Sequence, residues 1–187
     1  MYFESNCKNC KKHEHCCIFD DQLGFVFVGI KNAENIKRTT KKDYSYFLDY
    51  SPLPKPLASS LKDEDPVLEG KMRYHQLDKN RILRLKTKKN GKCIFLGDHG
   101  KCEIYNIRPN ICRIFPFWAI RLTNNKLKVI EHDPCSDCSV VKSIAKNGSV
   151  KKNVSKKEAE NIKKIFRNIE KEDIYYKKNI KKFVKRL

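Results

Sequence analysis

The feature that most constrains this chain is the placement of its nine cysteines. Cys7-Lys8-Asn9-Cys10 is followed at once by the adjacent pair Cys16-Cys17, so four thiols fall within eleven residues. Cys93, Cys102, Cys112, Cys135 and Cys138 come later. A Cys-x-x-Cys turn brings two thiolates together while the backbone between them can donate N–H groups to sulfur. That is half of a tetrahedral zinc site, or one edge of an iron–sulfur cluster. The turn occurs twice, at Cys7/Cys10 and Cys135/Cys138. Adjacent side chains diverge, so Cys16 and Cys17 are expected to divide their roles, one ligating and the other serving a second centre or packing as a small apolar residue. All nine are read as parts of one metal-bearing core.

Two other uses of cysteine compete with this reading. A disulfide framework suits small secreted chains, but Met1 to Asn6 holds no apolar run of a secretory signal, and the cysteine count is odd. A chain of 187 residues can also bury a hydrophobic core without covalent cross-links. Scattered buried cysteines would explain one or two of the nine, not two Cys-x-x-Cys turns and a tandem pair. Free thiols, together with apolar runs as short as Phe25–Val28 and Phe115–Ile120, lead to the expectation of a protein of the reducing cytoplasm with no membrane span. His13 and His15 lie between the first thiols and are candidate nitrogen ligands or solvated loop residues.

The formal net charge is +19, and it is uneven. From Ser139 onward 16 Lys/Arg stand against 5 Asp/Glu. A basic segment of this kind suits nucleic acid, an acidic partner or a membrane surface, or is simply a set of solvated helix faces. Only 9 of the 41 basic residues are Arg, the usual reader of base edges, which disfavours sequence-specific readout.

Along the chain, Leu23 to Val28 reads as a short buried strand and Asn32 to Arg38 as a helical turn or two. Asp43 to Tyr50, rich in aromatics, reads as a second short helix ended before Pro52. Pro52, Pro54 and Pro56 make a stiff connector. Arg81 to Thr87 is expected to form a hairpin with Lys92 to Leu96 across Asn90-Gly91, followed by a turn from Gly97 to Gly100. Pro109 opens a short helix that carries Cys112 and ends near Pro116. Phe117 to Thr123 and Lys126 to His132 flank Asn124-Asn125 as a second hairpin. Ser139 to Lys146 reads as a short helix. Ser155-Lys156-Lys157-Glu158 is a capping box. After it Ala159, Ile162, Phe166, Ile169, Tyr176, Ile180, Phe183 and Leu187 recur every three or four residues, with Asp173 as a polar interruption and a candidate kink. The expected fold class is α+β: a small metal-stabilised cysteine-cluster core over 1–138, with short hairpins and helices, and a basic helical extension over 139–187. The stripe of that amphipathic helix needs a covering surface, either the chain's own core or a protein partner.

The pattern Cys7-x2-Cys10-x5-Cys16-Cys17, then Cys93-Ile94-Phe95-Leu96, then Cys102-Glu103-Ile104-Tyr105-x2-Arg108-Pro109-x2-Cys112, resembles the YkgJ-like, or CxxCxxCC, cysteine-cluster family. The resemblance covers about residues 7 to 138. It implies a zinc- or iron-chelating domain, often described as iron–sulfur-containing, with Cys7, Cys10, Cys16, Cys17, Cys93, Cys102 and Cys112 at family metal positions. Here the spacer before the tandem pair is wider, five residues with two histidines. One branch of the family resembles flagellin lysine N-methylases. No Gly-rich nucleotide-binding loop is present in this chain, and the methylase activity is not carried over.

Three functions therefore stand open on the sequence: an iron–sulfur protein with a redox, cluster-carrying or structural role; a zinc-stabilised binding module whose basic tail meets nucleic acid or an acidic partner; and part of a lysine-methylase-like enzyme. Zinc and iron–sulfur sites use the same thiolates, so spacing does not separate them. Four thiolates around Zn²⁺ or a [4Fe–4S]²⁺ core leave a net charge of −2, and Lys8, Lys11, Lys12, Arg108 and Arg113 are placed in sequence to offset it.

Overall fold

A computed structural model describes residues 17, 26–52, 81–115, 117–131 and 154–187. Cys7, Cys10, Cys16, Cys135, Cys138, His13 and His15 lie outside the described residues, as do the start of the strand expected from Leu23, the connector beyond Pro52 and the helix expected over 139–146. Helix α1 (Ile30–Thr40) buries Ile30, Ala33 and Ile36, spaced by three. It stops at Lys41, whose left-handed backbone (φ 58°) lets its N–H reach the Lys37 carbonyl, and Lys37 and Arg38 complement the carbonyl end of the helix. A single turn, α2 (Tyr44–Phe47), then buries Tyr44 and Phe47. The expected helix ends there. Leu48–Pro52 is instead strand β1, antiparallel to β2 (Arg81–Leu85), in a register from Leu48 opposite Leu85 to Pro52 opposite Arg81.

Arg81 to Thr87 was expected to pair with Lys92–Leu96; only its end beyond β2 does so, and β2 itself pairs elsewhere. On one side it holds β1, and on the other the segment around Phe27, through Val28 N–H to Leu83 O (3.1 Å) and Leu85 N–H to Val26 O (2.9 Å). A strand with neighbours on both sides satisfies its backbone donors and acceptors, and Ile82, Leu83 and Leu85 are correspondingly buried. The expected hairpin forms in part at the Asn90-Gly91 turn: Gly91 takes φ 74°, Thr87 and Cys93 bridge across it, and Lys88 N–H to Lys92 O (2.7 Å) and Ile94 N–H to Lys86 O (3.0 Å) hold the two arms. Beyond it come a 3₁₀ turn (Tyr105–Ile107), α3 (Asn110–Ile114), and the hairpin of β3 (Phe117–Arg121) and β4 (Leu127–Glu131) around Asn124-Asn125, as the sequence leads one to expect.

Helix α4 (Lys156–Val184) runs for 29 residues. The capping box is in place: Ser155 Oγ accepts from Glu158 N–H (3.2 Å), and the Glu158 carboxylate accepts from Ser155 N–H (3.1 Å). The helix continues through Asp173, which is buried within the stripe at 3% exposure. Its two halves cover different cores. Ile162, Ile165, Phe166 and Ile169 pack with Ile114, Phe117 and Ala119. Tyr176, Ile180 and Phe183 pack with α1, α2, β2 and the cysteine-bearing turns. Tyr176 Oη also accepts the Leu83 N–H (3.1 Å), and Phe183 meets Tyr44 edge-on at 5.0 Å between ring centres. The architecture is α+β: mixed helices and two small antiparallel ribbons gathered on one long C-terminal helix. Among the described residues no helix is long and apolar enough to cross a membrane.

Candidate metal centre

The four described cysteines are reduced and arise from four local devices. Two of these devices are copies of one turn. In Cys93-Ile94-Phe95-Leu96 the Leu96 N–H donates to the Cys93 carbonyl (2.9 Å). In Cys102-Glu103-Ile104-Tyr105 the Tyr105 N–H donates to the Cys102 carbonyl (3.2 Å). In each, the N–H two residues after the cysteine, Phe95 or Ile104, donates to the thiol and favours its charged form. In each, that same residue is buried, so an apolar side chain anchors the turn while its backbone faces sulfur. The copies lie side by side: Leu96 bridges Cys102, and Glu103 N–H donates to Phe95 O (2.9 Å). Gly100, at φ 68°, makes the reversal between them.

Cys17 is fastened to the first turn by a short bond from Cys93 N–H to its carbonyl (2.6 Å). Cys112 sits on α3, where its N–H reaches Pro109 O (3.0 Å). Asn110 locks that helix in place. Its N–H donates to Asn32 Oδ1 on α1 (3.1 Å), and its side-chain amide donates to Glu172 Oε2 on α4 (3.1 Å).

The electrostatics put the four thiols in one neighbourhood. Burial pushes Cys17 up to about 12, and the charges of Cys93 and Cys102 push in the same direction. Burial raises Cys93 to about 11, with Cys102 adding to it and the Phe95 N–H and Lys88 opposing it. Cys102 is raised by burial. Parts of residue Cys112 reach the surface, yet its sulfur is enclosed. Burial lifts it well above the ordinary thiol value, followed by the influence of Cys17, Cys93 and Cys102 in turn. Arg108 acts against this rise at Cys17, Cys102 and Cys112. Its guanidinium stacks 3.7 Å from the centre of the Tyr105 ring, and its Nε donates to Tyr105 O (3.0 Å), so its position is fixed by the second cysteine turn.

The chemistry of this donor set fits a soft metal. Thiolates select zinc or iron–sulfur clusters, N–H groups aimed at sulfur and a fixed cation offset the anionic charge, and the surrounding core excludes water. Among the described residues no three Cys, His, Asp or Glu side chains are gathered tightly enough to grip one ion. Of the nine cysteines named from the sequence, Cys17, Cys93, Cys102 and Cys112 come together, and the other five fall outside the described residues. Sequence reasoning named Arg108, and Tyr105 within the same motif, and missed Lys88, Asn32, Asn110 and Glu172. The repeat of cysteine followed two residues later by a large apolar residue was visible in Cys93-x-Phe95 and Cys102-x-Ile104.

A family model described as "Putative zinc- or iron-chelating domain" and labelled CxxCxxCC matches residues 6–136. Among curated proteins, an uncharacterized protein of Methanocaldococcus jannaschii is 37% identical over 89 residues, which cover 47% of this chain and 41% of that protein. The chain thus spans under half the length of that relative. No solved structure matches the chain.

Proposed function

The chain belongs to the CxxCxxCC family of zinc- or iron-chelating domains, and on that premise we propose that it carries an iron–sulfur cluster in a redox, cluster-carrying or structural role. The observation that supports this reading is the gathering of Cys17, Cys93, Cys102 and Cys112, which act on one another electrostatically, with backbone N–H groups donated to Cys93 and Cys102 and the Arg108 charge beside them. Thiolates with N–H donors aimed at sulfur suit an iron–sulfur cluster, and zinc would use the same ligands.

Bound there, the cluster would supply one-electron chemistry or a rigid cross-link between the two cysteine turns and α3. The chain's own part is to deliver thiols and shape their surroundings. The Phe95 and Ile104 N–H groups favour the thiolate at Cys93 and Cys102. Arg108 adds positive charge, and Leu96, Ile104 and Phe95 keep the site dry. The deciding experiment is anaerobic purification with metal analysis and visible spectroscopy. Stoichiometric iron and broad absorbance near about 400 nm, from thiolate-to-iron charge transfer, are expected. A colourless protein with stoichiometric zinc would replace the cluster with a zinc-stabilised module on the same ligands.

A further inference from the structure

Helix α4 carries a second pattern beside its apolar stripe. Lys157, Lys164, Lys171, Lys178 and Lys185 recur every seven residues, and all five are exposed. A seven-residue step drifts about 20° around an α-helix, so the five lysines form one continuous row that winds by about 80° from end to end. At about 1.5 Å per residue, neighbouring lysines stand roughly 10 Å apart and the row is roughly 42 Å long. Lys181 and Lys182, also exposed, widen its C-terminal half.

The acidic residues of the helix do not neutralise this row. Glu158 is used in the capping box, Glu160 pairs with Lys163 (2.7 Å), and Glu170 pairs with Arg121 on β3 (2.6 Å). Glu172 accepts from Asn110, and Asp173 is buried. Four of the five acids thus turn inward or cap the helix start, while the lysines turn outward. Among the described residues none of the five row lysines takes part in an ion pair.

We propose that this row is a docking surface for the phosphate backbone of nucleic acid. A duplex presents one negative charge per roughly 1.7 Å of axis, so a long row of lysines lies in a strong field of phosphate charge along its whole length. The row is built of lysine, a point charge suited to phosphate rather than to base edges, so recognition is of backbone and not of sequence. A membrane surface fits less well. An interfacial helix inserts an apolar face, and here that face is occupied by the protein's own two cores. A short acidic peptide would meet only part of a row of this length.

The test uses the purified full chain and labelled duplex DNA, single-stranded DNA and single-stranded RNA of about 30 residues each, titrated from low salt upward. Seven lysine contacts predict a slope of log affinity against log salt near −6 on duplex, with little dependence on sequence. Changing Lys164, Lys171, Lys178 and Lys185 together to Gln, which has similar helix propensity, should flatten the slope by about 3 to 4 and weaken binding at every salt concentration. A control with Lys41, Lys89, Lys101 and Lys126 changed to Gln removes the same charge elsewhere and should keep the parent slope. Circular dichroism checks that both variants retain the helix. Absence of binding at low salt would overturn the proposal. So would equal weakening by both variants, or tighter binding to anionic phospholipid vesicles or polyglutamate than to any nucleic acid.

Discussion

Arg108 touches the chemistry of the site through charge alone, which makes it a sensitive probe. It stands where it opposes the raised proton affinity of Cys17, Cys102 and Cys112. In the proposed iron–sulfur cluster the reduced state carries one more negative charge than the oxidised one, so a nearby cation favours reduction. Replacing Arg108 by Gln should therefore lower the reduction potential of the loaded protein. Arg108→Lys should recover part of the shift, because it keeps the charge and loses the flat stack on Tyr105. Potentiometric titration reads both. The thiols also give two opposite pH dependences. Without metal, Cys17 and Cys93 hold their protons to about 12 and about 11, whereas an unfolded cysteine loses its proton near about 8.5. Their contribution to stability is complete below the unfolded value and is lost as pH rises through the folded ones. With metal, loading must displace those same protons, so acid strips the centre. Denaturant titrations of the two forms should show the apoprotein weakening in alkali and the loaded protein weakening in acid.

At the scale of single elements, the caps and packing of α4 set clear expectations. Ser155→Ala removes the side chain that accepts the Glu158 N–H and should cost about 1 kcal/mol, seen as a lower midpoint in chemical denaturation. Tyr176→Phe keeps the buried ring but leaves the Leu83 N–H without its acceptor. About 1–3 kcal/mol is expected from that change, more than the loss of one exposed hydroxyl would give. The start of α4, its apolar stripe and the β3–β4 turn were all legible in the sequence, because each is written in residues within four positions of one another. β1 was not. Leu48–Pro52 becomes a strand through pairing with Arg81–Leu85, far along the chain, and no local pattern distinguishes that choice from another helical turn. The partner expected for β2 failed for the same reason: the Asn90-Gly91 turn formed, but Phe95 and Leu96 were drawn into a cysteine turn instead of a strand. At the site, the sequence yielded the thiol inventory and Arg108. It could not yield Asn110 or Glu172, whose meeting depends on how α1, α3 and α4 pack.

At the scale of the whole molecule, α4 makes the two cores interdependent. Its first half completes the core beneath β3 and β4, and its second half completes the core against which the cysteine turns pack. Removing the metal with a chelator should therefore lower the midpoint of thermal unfolding while keeping a single transition. Hydrogen exchange should accelerate together at Leu83, beside the cysteine turns, and at Ile165, in the other core. Separate melting of the two cores would show that the helix does not couple them. Phe166→Ala, which empties a fully buried site in the core that holds none of the described cysteines, should cost about 3–5 kcal/mol and carry the metal-bearing core down with it.

The same arrangement has a consequence for synthesis. Cys17, Cys93, Cys102 and Cys112 all precede the residues that close the core around them, since Tyr176, Ile180 and Phe183 are translated afterwards. At roughly 5–20 residues per second, several seconds separate the emergence of Cys112 from that of Phe183. During that interval the thiols belong to a nascent chain whose core is unfinished. They are then open to oxidation and to the wrong metal, and the correct centre can be sealed only after the last turns of the helix have left the ribosome.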